Sequence, residues 1–146
     1  MKVRELVDKL GLKVLSGENG LDREIDGCYV SDLLSDVMGN ADAGNVWITL
    51  QTHKNVMAVA SLKEMACIIL VKNLTANEDT LSQSNEEEIP ILQTSMETFE
   101  VTGRVYEIIK SENLKNWKTE KFSDSQILKF SNSQVFKFSD SKQLVQ

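Results

Sequence analysis

The chain is short of the residues that most often carry chemistry. It has one histidine, two cysteines and one proline in 146 residues, and 6% aromatics. A zinc site built from His53, Cys28 and Cys67 would need carboxylates to complete it, and no ligand spacing is present. No metal and no cofactor are expected. Cys28 and Cys67 both lie inside apolar runs, as reduced, buried thiols do. The longest such run, ACIILV at 66–71, falls far short of the roughly 20 residues that cross a bilayer. The opening MKVRELVDKL mixes charges among its apolar residues and does not read as a signal peptide. No membrane association and a cytoplasmic location are expected. None of the seven glycines is placed for GxxxxGK[ST], GxGxxG or GxSxG, which removes P-loop kinase or ATPase, dinucleotide-binding and nucleophile-elbow chemistry.

What is present is ordinary for a soluble globular protein: 41% hydrophobic and 26% charged residues. Net charge is −6, unevenly spread. Residues 1–110 carry 10 basic and 18 acidic side chains, and residues 111–146 carry 6 and 4. An acidic body argues against nonspecific binding of nucleic acid or anionic membrane.

The C-terminal stretch repeats every eight residues as KFSDSQIL, KFSNSQVF and KFSDSKQL. That period fits neither a heptad seam nor a solenoid, and its Ser, Lys, Asn, Asp and Gln content cannot bury a face. We therefore expect an ordered domain over 1–112 and a low-complexity, disordered tail over 113–146. Phe122, Phe130 and Phe138 would be the sticky points if that tail met a partner.

Within the body, Val3, Leu6, Val7 and Leu10 recur at helical spacing and Gly11 follows, which predicts a short helix with a stop. LKVLSG and CYV read as short strands, with SDLLSDVMGNADAG as a short helix or loop. Strands at 46–50, 66–71 and 89–93 then alternate with helices at 54–64, 77–87 and 96–110. Unbroken apolar strands between helices imply a mainly parallel sheet covered on both faces. Thr75 with Glu78, and Thr94 with Glu97, have capping-box spacing. Val101, Val105, Ile108 and Ile109 form an inward stripe, and Gly103 suggests close packing on a neighbour.

Ligands in such folds favour the C-terminal strand ends. The loop Gln51-Thr52-His53-Lys54 joins one of these ends to a helix. The candidate ligand-binding residues are Ser31, Asp32, Thr49, Thr52, His53 and Lys54. The alternative is an ordinary helix start with His53 in solvent. A general acid/base role for His53 lacks a convincing partner, and no catalytic residues are assigned.

Three segments carry a resemblance: GCYVSDLLSDVMGNADAGNVWITLQTH, SLKEMACIILVKN and EEEIPILQTSMETFEVTGRVYE. Over residues 27–110 they resemble the DRTGG domain. MKVRELVDKLGLKVLSGENGLDREIDG is similar to the start of the N-terminal domain of HPr kinase/phosphorylase. The stretch from Val30-Ser31-Asp32 to Trp47-Ile48 is similar to the Mur ligase N-terminal domain. The resemblance implies a three-layer α/β/α fold. His53-Lys54 and Val71-Lys72-Asn73 stand where the family name places Asp-Arg and Thr-Gly-Gly. Kinase chemistry belongs to a separate P-loop domain, so no enzyme is expected. The resemblance implies a non-catalytic regulatory or ligand-sensing domain. We expect it to self-associate, most simply as a dimer, and to modulate a partner enzyme. The alternative function is a small-molecule binder of a nucleotide or phosphorylated metabolite at the strand ends.

Overall fold

A computed structural model describes residues 1–121. The chain forms α1 (Val3–Leu10), β1 (Lys13–Ser16), β2 (Gly27–Val30), α2 (Leu34–Asn40), β3 (Asn45–Thr49), α3 (Asn55–Leu62), β4 (Cys67–Leu70), α4 (Glu78–Glu87), β5 (Ile91–Gln93) and α5 (Thr98–Lys121). The five strands make one sheet in the order β1-β5-β4-β3-β2. β2 to β5 are parallel, and only β1, at the edge, runs antiparallel. This is the expected α/β/α fold. Every residue of β3 and β4 is buried, which explains why their sequences read as unbroken apolar runs rather than alternating ones.

Each step from β2 to β5 moves one strand across the sheet in the same direction. Right-handed crossovers then place the connecting helices on one face. There Val37 of α2, Val56, Met57 and Ala60 of α3 and Leu81 of α4 pack on Trp47, Ile68, Leu70 and Ile91. On the other face, Val3 and Leu6 of α1 and Val101 and Val105 of α5 pack on Val46, Ile48, Cys67, Ile69 and Leu92.

Both proposed capping boxes are absent. α4 starts at Glu78 behind Asn77, with no side-chain cap, because residues 72–76 are needed to carry the chain off the sheet. The Thr94 hydroxyl instead accepts the Met96 N–H two residues on, at 3.1 Å, a local turn that delays α5 until Thr98. Gly103 is also not a close-packing site: a Cβ there would meet nothing within 4 Å.

Residues Met1–Ile109 form one compact unit, and the chain from Lys110 on belongs to a second. α5 runs on to Lys121, so residues 113–121, placed in the tail by sequence, are helical. Beyond Lys121 the octapeptide repeats, with Phe122, Phe130 and Phe138, lie outside the described residues.

Candidate functional site

The strand ends carry two distinct polar clusters. The first, after β2 and β3, holds the residues singled out by sequence. Asp32 Oδ1 accepts the Thr49 hydroxyl at 3.0 Å and the Leu50 N–H at 2.7 Å. The Gln51 amide donates to the Asp32 carbonyl, and the Gln51 N–H donates to Thr49 Oγ1. Ser31 Oγ accepts the Leu33 N–H, and the Ser31 carbonyl accepts the indole N–H of buried Trp47 at 2.9 Å. Ser31, Asp32 and Thr49 are therefore brought together, and their polar atoms tie two strand ends to each other.

Thr52, His53 and Lys54 follow in the loop. The Thr52 carbonyl accepts the hydroxyl of buried Thr80 at 3.4 Å. His53 is exposed, and its Nδ1 accepts the Asn55 N–H at 3.3 Å. Lys54 occupies the N-cap position of α3 without a side-chain cap. This is close to the ordinary helix start that was the alternative for this loop.

Beside this cluster, Asp36 is held below the usual carboxylate range. A hydrogen bond from Ser31 is the main cause, with a second from Tyr29. Tyr29 Oη lies 2.9 and 3.0 Å from the two Asp36 oxygens, and the same contact pushes the Tyr29 hydroxyl up.

The second cluster follows from topology. α4 leaves β4 toward one face and α5 leaves β5 toward the other, so the two loops part at the C-terminal ends of these neighbouring strands. Such a switch point is where open α/β sheets form ligand crevices. A cleft of about 430 Å³ lies here, within the usual range for small-molecule sites. Asn73 lines it from the β4 loop, residues 93–96 from the end of β5, Gly11 and Lys13 from the turn into β1, and Leu10, Glu100 and Arg104 from the helices. Arg104 pairs with Glu100 at 3.0 Å, whereas Lys13 has no ion-pair partner among the described residues.

The cleft's rim is braced. Lys72 N–H donates to the Met96 carbonyl and Asn73 N–H to the Thr94 carbonyl. The Gln93 amide donates to the carbonyls of Asn73 and Leu74, both at 3.1 Å. Lys72 and Asn73 hold φ of 56° and 58°, left-handed backbone that costs a non-glycine residue roughly 1–2 kcal/mol. They are the residues that stand where the resemblance places Gly-Gly. Sequence reading missed this site because its lining comes from four separate segments. The one local signal was the replaced glycine pair.

Arg23, in the early Asp22-Arg23 turn, has a different role. Its guanidinium donates to the carbonyls of Glu87 and Glu88, at 3.2 and 2.7 Å, and so closes the C-terminal end of α4. Among the described residues no group of His, Cys, Asp or Glu is arranged to hold a metal ion. No helix among them is long and apolar enough to cross a membrane.

The family pattern described as the DRTGG domain matches residues 5–108. No curated protein matches the chain. Among solved structures, the CBS and DRTGG domains of the regulatory region of Clostridium perfringens pyrophosphatase, complexed with the activator diadenosine tetraphosphate, share its fold. The TM-score is 0.57 at 13% identity, over 75% of this chain. The chain spans 46% of that structure's length.

Proposed function

The chain belongs to the DRTGG domain family, and from that premise we propose that it is a non-catalytic regulatory domain that senses a small molecule, self-associates and modulates a partner enzyme. The observation that carries this reading is the cleft at the β4/β5 switch point, where the helical layers part around Asn73, Thr94 and Lys13. It sits beside two left-handed residues that the surrounding hydrogen bonds hold in place, and such outliers gather at functional sites. The relative's regulatory region, which binds a nucleotide activator, supports the regulatory half of the reading.

The finer reading concerns the ligand. Lys13 leaves one cationic charge on the cleft wall unbalanced once Arg104 has paired with Glu100, which favours a phosphorylated small molecule, a nucleotide included. The β2/β3 rim is the rival location. There the Asp32 and Thr49 side chains are committed to the fold, which leaves Thr52, His53 and Lys54 to meet a ligand.

A thermal-shift panel on the full chain tests both, with ATP, diadenosine tetraphosphate and inorganic phosphate as probes. A probe at about 100 times its dissociation constant stabilises the fold by about 2.7 kcal/mol. Lys13→Ala should abolish the shift and His53→Ala should leave it intact. The reverse pattern moves the site to the β3 loop. A flat panel at millimolar probe removes ligand sensing and leaves the partner-modulating role to be sought by pull-down.

A further inference from the structure

Gln93 is the last residue of β5 and lines the cleft at the switch point. Both hydrogens of its side-chain amide are committed, because Nε2 donates to the carbonyls of Asn73 and Leu74, each at 3.1 Å. Exchanging the amide's two ends would set its oxygen against those carbonyls, which repel it. Oε1 is thereby fixed on the other side. It accepts no hydrogen bond from any described residue, and it is open to solvent rather than sealed in the core. The cleft wall thus carries an acceptor that cannot turn round to become a donor.

Lys13 is the direct cross-strand partner of Gln93 in the antiparallel pair of β1 and β5. Opposed residues of such a pair rise on the same face, with Cβ atoms roughly 5 Å apart. Lys13 has no ion-pair partner among the described residues. A cation and a fixed acceptor therefore stand side by side, and they ask for different groups. Lys13 attracts an anion, whereas Gln93 Oε1 needs an O–H or N–H. We propose that Gln93 is the specificity-determining residue of the cleft, selecting a ligand with a hydrogen-bond donor close to its phosphate: a phosphorylated polyol or sugar, the ribose of a nucleotide included. The inference rests on the cleft being the ligand site, as proposed above, and adds the class of ligand it takes.

The selection comes from the pinning. A free glutamine amide rotates to offer either end and discriminates little between a donor and an acceptor. Here rotation would break both bonds to the β4 loop. A phosphorylated carboxylic acid turns a second oxyanion toward Oε1 and meets its lone pairs. A hydroxyl a few bonds from the phosphate instead reaches Oε1 while the phosphate faces Lys13.

Glycerol 3-phosphate and propyl phosphate test the proposal, because they share the charge and the three-carbon frame and differ in hydroxyls. Dissociation constants for both are measured on the full chain by chemical-shift titration. The wild type should bind glycerol 3-phosphate about fivefold more tightly, the worth of one hydrogen bond to a half-exposed group. Gln93→Met keeps the length and loses the oxygen, so the ratio should fall to about one while propyl phosphate binds as before. Circular dichroism shows that the variant is folded, and the wild-type ratio stands as a test whether or not it is. Equal binding of the two probes by the wild type overturns the selection and leaves a phosphate site in the cleft. A preference that survives in Gln93→Met overturns Gln93 as its source. No binding of either probe, together with a flat nucleotide panel, overturns the cleft itself as a ligand site.

Discussion

Asp36 makes its pH dependence explicit at the scale of one residue. Ser31 and Tyr29 donate to its carboxylate, so its folded pKa lies below the unfolded one. Its contribution to stability is therefore complete above the unfolded carboxylate pKa, near 3.9, and is lost as pH falls through the folded value. We expect the melting temperature to fall more steeply below about pH 4 in the wild type than in Asp36→Asn. Parallel acid limbs for the two proteins would show that these hydrogen bonds do not favour the charged form. Lys72 and Asn73 illustrate the opposite situation, in which side chains tolerate a backbone that glycine would adopt freely. Hydrogen bonds from both residues and from Gln93 hold that turn.

Among elements, the strands were the most legible in the sequence. Val46, Trp47 and Ile48, and Ile68, Ile69 and Leu70, are buried from both sides, so composition alone marked them. The helices' places were legible too, but the end of α5, at Lys121 rather than 110, and the residues that cap the helix starts were not. Thr75 and Thr94 have the right spacing, yet a cap works only at the residue bordering the first turn, and the loop length needed to leave the sheet decides which residue that is. Gly103 was misread because an exposed helical glycine and a closely packed one look alike in a sequence. The joint between α4 and β1 was invisible for a different reason, since its partners are far apart in the chain. Ser84, fully buried, donates to the Ile89 carbonyl at 2.6 Å and accepts the Ser16 hydroxyl at 2.8 Å. Ser84→Ala should cost about 1–3 kcal/mol, because it leaves buried polar atoms without a partner. The denaturation midpoint checks this, and a change below about 0.5 kcal/mol would mean that the joint relaxes.

At the scale of the molecule, periodicity carried the layering but not which loops part from each other. Helices on either face of a sheet present equal apolar stripes, so the switch point between β4 and β5 emerged only from strand order and packing. The candidate residues read from the sequence lie at the neighbouring β3 end, where Asp32 and Thr49 join the two strand ends. Cooperativity of the whole core can be read from its two thiols. Cys67 is fully buried and Cys28 partly so. Burial pushes the Cys28 thiol up to about 12 and raises that of Cys67 as well. Both should resist a thiol reagent at pH 8 in the native protein and become reactive together across the urea transition. Early labelling of Cys28 alone would mean that β2 peels from the sheet before the rest unfolds.

Leu10, Glu100 and Arg104 line both the polar cleft and a shallower, mainly apolar groove beside Phe99. One partition thus serves two hollows, and a change of rotamer in any of these three side chains alters both. Thermodynamic linkage makes any influence between occupants of the two mutual: the factor by which one tightens the other is the factor by which it is itself tightened.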